Sequence, residues 1–210
     1  MTAGHALLAF TATAGLLTIT PGLDTALVLR TAAVDGGRRA LLAGLGICLG
    51  CLVWGLAVSV GLGGLLTVSR WGYDALRLAG AAYLIYLGAR LLTRPAPSLE
   101  LPSLPERAGH TPSWFARGLL TNLLNPKVGI FYVTFLPQFI PGGVPVTGFS
   151  MLLAGIHAVE GMLWFGLIVL ATRPLTRWLR RPGVAKGLDR ATGLVFVGFG
   201  VGLLLDRRSS

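Results

Sequence analysis

Long apolar runs, separated by short polar segments, dominate the chain. Each run approaches or exceeds the roughly 20 residues that an α-helix needs to cross the hydrocarbon core of a bilayer. The pattern therefore predicts an all-α membrane protein with six transmembrane helices. The predicted spans cover residues 6–29, 40–69, 71–92, 118–140, 147–171 and 188–205.

Two of these runs are interrupted by a proline close to a charged residue. Residues 20–24 read Thr-Pro-Gly-Leu-Asp, and residues 125–127 read Asn-Pro-Lys. Proline removes a backbone donor and clashes with an upstream carbonyl, so we expect both helices to break there. In lipid, a break is tolerated only where protein or a water-filled cavity satisfies the freed backbone groups. The prolines lie 105 positions apart in a chain of 210, and such matched breaks indicate a transporter's substrate site.

A proline-rich segment divides the chain into two halves. Residues 94–113 contain five prolines and scattered charges, which is typical of a linker. We therefore predict a first three-helix repeat at residues 1–93 and a second at 114–210. Arginine-rich loops follow the first, third and fifth spans and should face the cytoplasm, which leaves both termini outside. The second half then enters the membrane from the opposite side, so the two repeats are predicted to be inverted.

Composition supports a membrane protein. The chain is 53% hydrophobic and 12% charged, whereas soluble domains are about 25% charged. A net charge of +10 could indicate a nucleic-acid partner, but the basic residues lie in short loops between apolar runs. We therefore expect no nucleic-acid binding. Cys48 and Cys51 are interpreted as small packing residues, because no second pair completes a metal site.

The segments around the two breaks carry specific sequence signatures. Residues 115–127 read Phe-Ala-Arg-Gly-Leu-Leu-Thr-Asn-Leu-Leu-Asn-Pro-Lys, and further matches lie at 21–24, 36–39, 44–50, 77–88 and 135–139. Together they resemble the lysine exporter and homoserine/threonine exporter family (LysE/RhtB), strongly over about residues 15–140. The resemblance implies six helices in a bacterial inner membrane and export of amino acids or close derivatives, driven by the proton gradient. One departure is Leu23, where the family usually repeats proline, so the first break should be less rigid.

The chemistry of an amino acid suggests roles for the two breaks. Backbone N–H groups after Pro21 and Gly22 lie at the positive end of a helix dipole and can hold a carboxylate, as can Lys127. Asp24 is the candidate acceptor for the ammonium group or for the coupling proton. In the alternative, Asp24 and Lys127 simply pair with each other. The predicted substrate-binding residues are Pro21, Gly22, Asp24, Asn122, Asn125, Pro126 and Lys127.

Two further pairs are candidates for coupling and gating. His157 and Glu160 are three residues apart in the fifth predicted span, and with Asp24 they are proton-coupling candidates. The alternative is a hydrogen-bonded structural pair. Asp35 and Arg38 in the first loop are gate candidates, although a solvated loop pair is the default for such charges.

Alternative functions place different demands on the spans. An exporter of another small solute or of a metal ion is the runner-up, and a metal exporter would need several acidic, histidine or methionine side chains in the spans. An intramembrane enzyme would need a nucleophile or a metal triad at membrane depth, and the sequence offers no convincing set. We therefore predict no enzyme activity, no cofactor and no resident metal. The expected partners are a small-molecule substrate and the lipid bilayer, with a homodimer left open.

Overall fold

The computed structural model describes residues 2–68, 78, 81–82, 85–86, 88–90, 92–93, 113–171 and 181–205. All regular secondary structure within these ranges is helical, which confirms the predicted all-α class. Most of the predicted third span, and the predicted linker apart from Ser113, lie outside the described residues. The helices are α1 (Ala3–Ile19), α2 (Leu23–Val34), α3 (Gly37–Val68), α4 (Trp114–Leu123), α5 (Pro126–Ile130), α6 (Val146–Leu170) and α7 (Pro182–Leu205).

The first predicted break separates α1 from α2. The Thr20 hydroxyl and N–H both donate to the Leu16 carbonyl, at 2.6 and 3.1 Å, and close the end of α1. Thr20 itself is extended, with φ −68° and ψ 123°, because the residue before a proline is pushed out of the helical region. Gly22 is also extended, and α2 begins at Leu23. The two helices meet at a bend of 52°.

The second predicted break separates α4 from α5 and has the same bend, 52°. Asn125 is the N-cap of α5, and its side chain accepts a hydrogen bond of 3.1 Å from the Lys127 N–H. Pro126 occupies the first helical position, where a missing N–H is tolerated. Beyond α5 the chain continues as a π-helical turn at Phe131–Phe135 and a 3₁₀ turn at Leu136–Phe139. The fourth predicted span is therefore a series of short helical pieces.

The described residues fit a membrane protein, although they do not establish six spans. Segments Gly37–Gly61 and Val146–Leu170 are each long and apolar enough to cross a bilayer alone. The pair α1–α2, and the pair formed by α4 with Pro126–Phe139, each meet the same requirement when taken as one bent span. The described part of the chain thus contains two to four candidate spans, and the six-span arrangement of two repeats stays a prediction.

Glycines allow α3 to approach α4 and α6 closely. A Cβ on Gly46 would collide with the Phe115 carbonyl, and a Cβ on Gly118 would collide with the Ala43 carbonyl. Small residues at such positions bring helix backbones together inside a membrane. The result places α4, which carries Asn122, directly against α3.

The contact between α3 and α6 is antiparallel. Gly44 lies against Phe165, and Gly55 lies against Ala154, so the sequence positions advance in opposite directions. The described residues of the third predicted span pack in the same antiparallel way on α7, where Gly88 lies against Gly193 and Ala81 lies against Gly200. Gly88 and Gly193, like the two prolines, are 105 positions apart.

Aromatic side chains join the second break to its surroundings. Phe10 of α1 contacts Phe131 with ring centroids 5.7 Å apart, and Phe135 contacts Phe196 of α7 at 5.2 Å. All four side chains are at most 1% exposed. This apolar core fixes the segment after Pro126 against α1 and α7.

The start of α7 differs from the prediction. The last span was expected to begin at residue 188, after an arginine-rich loop that contained Lys186, whereas the helix begins at Pro182 and includes Lys186. Arg180 and Arg181 before Pro182, with Lys186 and Arg190 after it, hide the helix start in the hydropathy pattern. Proline at a first helical position is itself a start signal, and it could have corrected this boundary.

Candidate functional site: a cavity between the two breaks

A small cavity lies between the two breaks. The space open to the centres of water molecules is about 40 Å³, which is room for roughly three waters. Its lining includes five of the seven predicted substrate-binding residues. These are Gly22, Asp24, Asn122, Asn125 and Lys127.

The prolines shape the cavity without lining it. Neither Pro21 nor Pro126 belongs to its wall, and Pro126 is exposed. Their effect is to end α1 and to start α5, so that polar side chains beside each break turn inward. Both remain predicted substrate-binding residues only in this indirect sense.

Asp24 is held by the second half of the protein. Asn122 Nδ2 donates to Asp24 Oδ2 at 2.8 Å, and Asn125 also interacts with the carboxylate. The other carboxylate oxygen, Oδ1, is buried and has no hydrogen-bond partner among the described residues. A buried carboxylate with a free oxygen can accept a cationic or donor-bearing ligand.

Lys127 is held by the first half of the protein. Its Nζ donates to the carbonyls of Leu17 and Thr20, at 3.1 and 3.0 Å. These carbonyls lie at the C-terminal end of α1, where orphan acceptors and the negative end of the dipole favour a cation. Asp24 and Lys127 form no ion pair within 4.0 Å in the described structure, so each charge is held by the partners given above and not by the other.

The contacts of the two charged residues are reciprocal. Lys127 contacts positions 17 and 20, and Asp24 contacts positions 122 and 125. Positions 17 and 122 are 105 residues apart, and so are positions 20 and 125, which is the same separation as between the two prolines. Each break therefore donates a charged residue to the end of the helix that precedes the other break.

His157 and Glu160 do not form the pair that the sequence suggested. His157 is buried, lines the cavity, and its Nδ1 lies 3.1 Å from the hydroxyl of Tyr132. Glu160 lies near Gly15 of α1, and its buried Oε2 has no hydrogen-bond partner among the described residues. Residues three apart on a helix share a face, but the hydrogen-bond partner of His157 is Tyr132 from the π-helical turn.

The gate candidates also have a different geometry. Asp35 lies 3.8 Å from Arg39, one turn along the chain, and Arg38 forms no ion pair in the described structure. The Arg39 side chain is 57% exposed, and such surface pairs contribute at most about 1 kcal/mol. Asp35 and Arg38 remain gate candidates by position alone.

Several cavity residues were missed by sequence reasoning. Thr18 of α1 and the two cysteines of α3 line the cavity, and neither cysteine forms a disulfide. Cys48 and Cys51 are buried as predicted. They pack in the apolar core and also line the same cavity as Asp24. A polar residue such as Thr18, a few positions before a break, is the signal that could have identified the α1 contribution.

A second acidic residue lies close to the cavity on α7. Asp189 is 4% exposed and interacts electrostatically with Lys127. On the same helix, the Thr192 hydroxyl lies 2.6 Å from that of Thr20 at the first break. Asp189 was not predicted as a site residue, although an acidic residue inside the last predicted span, 188–205, is a signal that could have identified it.

The apolar helices and the polar cavity between two broken spans define a helical membrane protein. Residues 15–207 match the family described as LysE type translocator, so the chain belongs to that family, whose members are transporters and not enzymes. No solved structure matches the chain.

Three curated relatives span most of the chain. It is 31% identical to the uncharacterized membrane protein YrhP of Bacillus subtilis, covering 94% of this chain and 97% of the relative. It is 30% identical to a threonine efflux protein of Escherichia coli K12, covering 90% and 92%. It is 31% identical to a homoserine/homoserine lactone efflux protein of Salmonella typhimurium, covering 90% and 91%.

Proposed function

We propose that this protein exports amino acids or close derivatives from the cytoplasm across the inner membrane, coupled to the proton gradient. The observation that carries the proposal is the buried, unpaired Oδ1 of Asp24 in a cavity between two broken helices. Relatives at about 30% identity named for threonine and homoserine efflux support the substrate class.

Asp24 supplies the binding chemistry. An ionised carboxylate is expensive to bury in a membrane protein and marks a transport pathway when it lies inside a span. Either the ammonium group of a substrate or a proton can neutralise it. Because the two cannot occupy the same oxygen together, binding of one favours release of the other, which is the basis of exchange.

The proposed architecture is two inverted three-helix repeats, at residues 1–93 and 114–210, joined by a cytoplasmic linker. Three features support it: the equal bends of 52° at the two breaks, the reciprocal contacts of Asp24 and Lys127, and the antiparallel packing of α3 on α6. Inverted repeats place the substrate site near the bilayer midplane, where rocking of one half against the other exposes it to either side.

The test is transport by purified protein in proteoliposomes. Vesicles are loaded with an equimolar mixture of the common amino acids and homoserine, a pH gradient is imposed, and release is followed by mass spectrometry. We expect gradient-dependent loss of a few amino acids, with protein-free vesicles as the blank. If well-inserted protein releases none of them, the proposal is wrong, and a mixture of ions and organic acids becomes the next set of substrates.

A further inference from the structure

The cavity wall contains buried side-chain atoms that lack a hydrogen-bond partner, and they are all of one kind. Among the described residues that line it, the buried side-chain atoms without a partner are Thr18 Oγ1, Asp24 Oδ1 and Asn122 Oδ1. All three are oxygens. The carboxylate and amide oxygens can only accept hydrogen bonds, and a threonine hydroxyl can accept as well as donate.

Several polar side-chain hydrogens of the same wall are already engaged, although the Thr18 hydroxyl and the third N–H of Lys127 are not. Asn122 Nδ2 donates to Asp24, and the Thr20 hydroxyl donates to the Leu16 carbonyl. Lys127, the lysine of the wall, directs its ammonium group at two carbonyls of α1. A ligand that enters this cavity therefore meets free acceptors and few free donors.

This pattern is complementary to an ammonium group and not to a carboxylate. A primary ammonium carries three N–H donors and a positive charge. It can therefore donate to the free acceptors and neutralise the charge of Asp24. A carboxylate would add negative charge beside Asp24, while the positive charge of Lys127 is already held by the Leu17 and Thr20 carbonyls. Buried acceptors left without donors are unfavourable, so the ammonium should carry most of the recognition.

We propose that the cavity recognises the primary ammonium group of its substrate and does not require the carboxylate. Amino-acid carboxamides, esters and lactones then share the transport path with amino acids, whereas analogues without the amine are excluded. This inference rests on the proposed export function and specifies the chemical class that the same site takes. The three acceptors come from α1, α2 and α4, so they lie on both sides of the first break and before the second.

Thr18 becomes a specificity-determining residue under this proposal. It lies on α1 and lines the cavity, where its hydroxyl has no partner among the described residues. Thr18→Val keeps the shape of the side chain and removes the acceptor. Thr11→Val is the matched control, because Thr11 lies on the same helix and is exposed.

The experiment compares isosteric analogues in the proteoliposome assay. Labelled alanine, threonine and leucine are the parent substrates, and each competes with its carboxamide and with the 2-hydroxy acid in which a hydroxyl replaces the amine. We expect the carboxamide to compete within about tenfold of the parent, since loss of the carboxylate removes only weak contacts. The hydroxy acid should be weaker by about 100-fold or more, because it leaves the buried Asp24 carboxylate unpaired. Protein-free vesicles correct for leakage of uncharged amines.

The outcomes separate this inference from the export proposal. Parent amino acids that are transported while hydroxy acids compete equally, or while carboxamides fail to compete, would overturn the inference and leave export standing. No transport of any parent would remove both. In the same proteoliposome assay, Thr18→Val should raise the KM for the parent amino acid several-fold with little change in kcat. Thr11→Val should change neither constant. Equal effects of the two variants would also overturn the inference.

Discussion

At the scale of single residues, Asp24 and Lys127 divide two tasks. Lys127 binds carbonyls at the end of α1 and stabilises the broken backbone. Asp24 keeps one oxygen free inside the cavity. Sequence alone identified both residues, because a charge beside a proline in an apolar run is conspicuous. It could not assign their partners, since these depend on how the two halves pack.

We predict that Lys127→Met lowers stability and transport together. The variant keeps an unbranched side chain but leaves the Leu17 and Thr20 carbonyls without their donor. Loss of hydrogen bonds from a charged group typically costs about 1.5–3 kcal/mol, so the thermal unfolding temperature in detergent should fall by several degrees. Lys186→Met is the matched control, because Lys186 is the other lysine of the chain and is exposed. Equal unfolding temperatures for the two variants would contradict this role of Lys127.

At the scale of helices, the breaks and the close contacts of α3 position the site. The prolines predicted the breaks directly, because their effect on a helix is local. The π-helical and 3₁₀ turns after α5 were not predicted, since they depend on the packing of Phe131 and Phe135 in the aromatic core. The pairing of His157 with Tyr132 was missed for the same reason.

Gly50 of α3 tests this coupling between helices. A Cβ at this position would collide with the side chain of Asn122, which holds Asp24. We predict that Gly50→Ala displaces Asn122 and reduces transport by about tenfold or more, equivalent to the loss of one hydrogen bond of about 1.4 kcal/mol.

The control for this prediction lies on the same helix. Gly61 has nothing within 4 Å of the position a Cβ would take, so Gly61→Ala should transport normally. Both variants are measured by amino-acid release from proteoliposomes with matched protein content. Normal transport by Gly50→Ala would show that the contact between α3 and Asn122 is not needed.

At the scale of the whole molecule, the proposal is an inverted pair of repeats with both termini outside. Hydropathy and loop charge predicted the class of protein, because apolar length and basic loops report directly on the bilayer. They misplaced the start of α7, where helix and basic segment overlap. The reciprocal contacts across the offset of 105 positions emerge only from the three-dimensional packing.

Orientation is tested by cysteine labelling of intact cells. Arg38, in the first turn of α3, and Gly142, in the turn before α6, are both exposed and lie on opposite sides of the proposed bilayer. We predict that a membrane-impermeant maleimide labels Gly142→Cys from outside and labels Arg38→Cys only after the cells are permeabilised. The parent protein, whose two cysteines are buried, gives the background. Labelling of Arg38→Cys in intact cells would invert the proposed topology.

The central claim is that the Asp24 carboxylate binds the transported group, and the most direct measurement is transport by Asp24→Asn. This substitution preserves the shape of the side chain and removes its charge. Glu106→Gln, which neutralises an acid in the predicted linker, is the matched control. Both variants are reconstituted at equal density, and gradient-driven release of amino acids is measured. We predict that Asp24→Asn is folded, inserted and inactive, while Glu106→Gln transports normally. Transport by Asp24→Asn at the rate of the parent protein would contradict it.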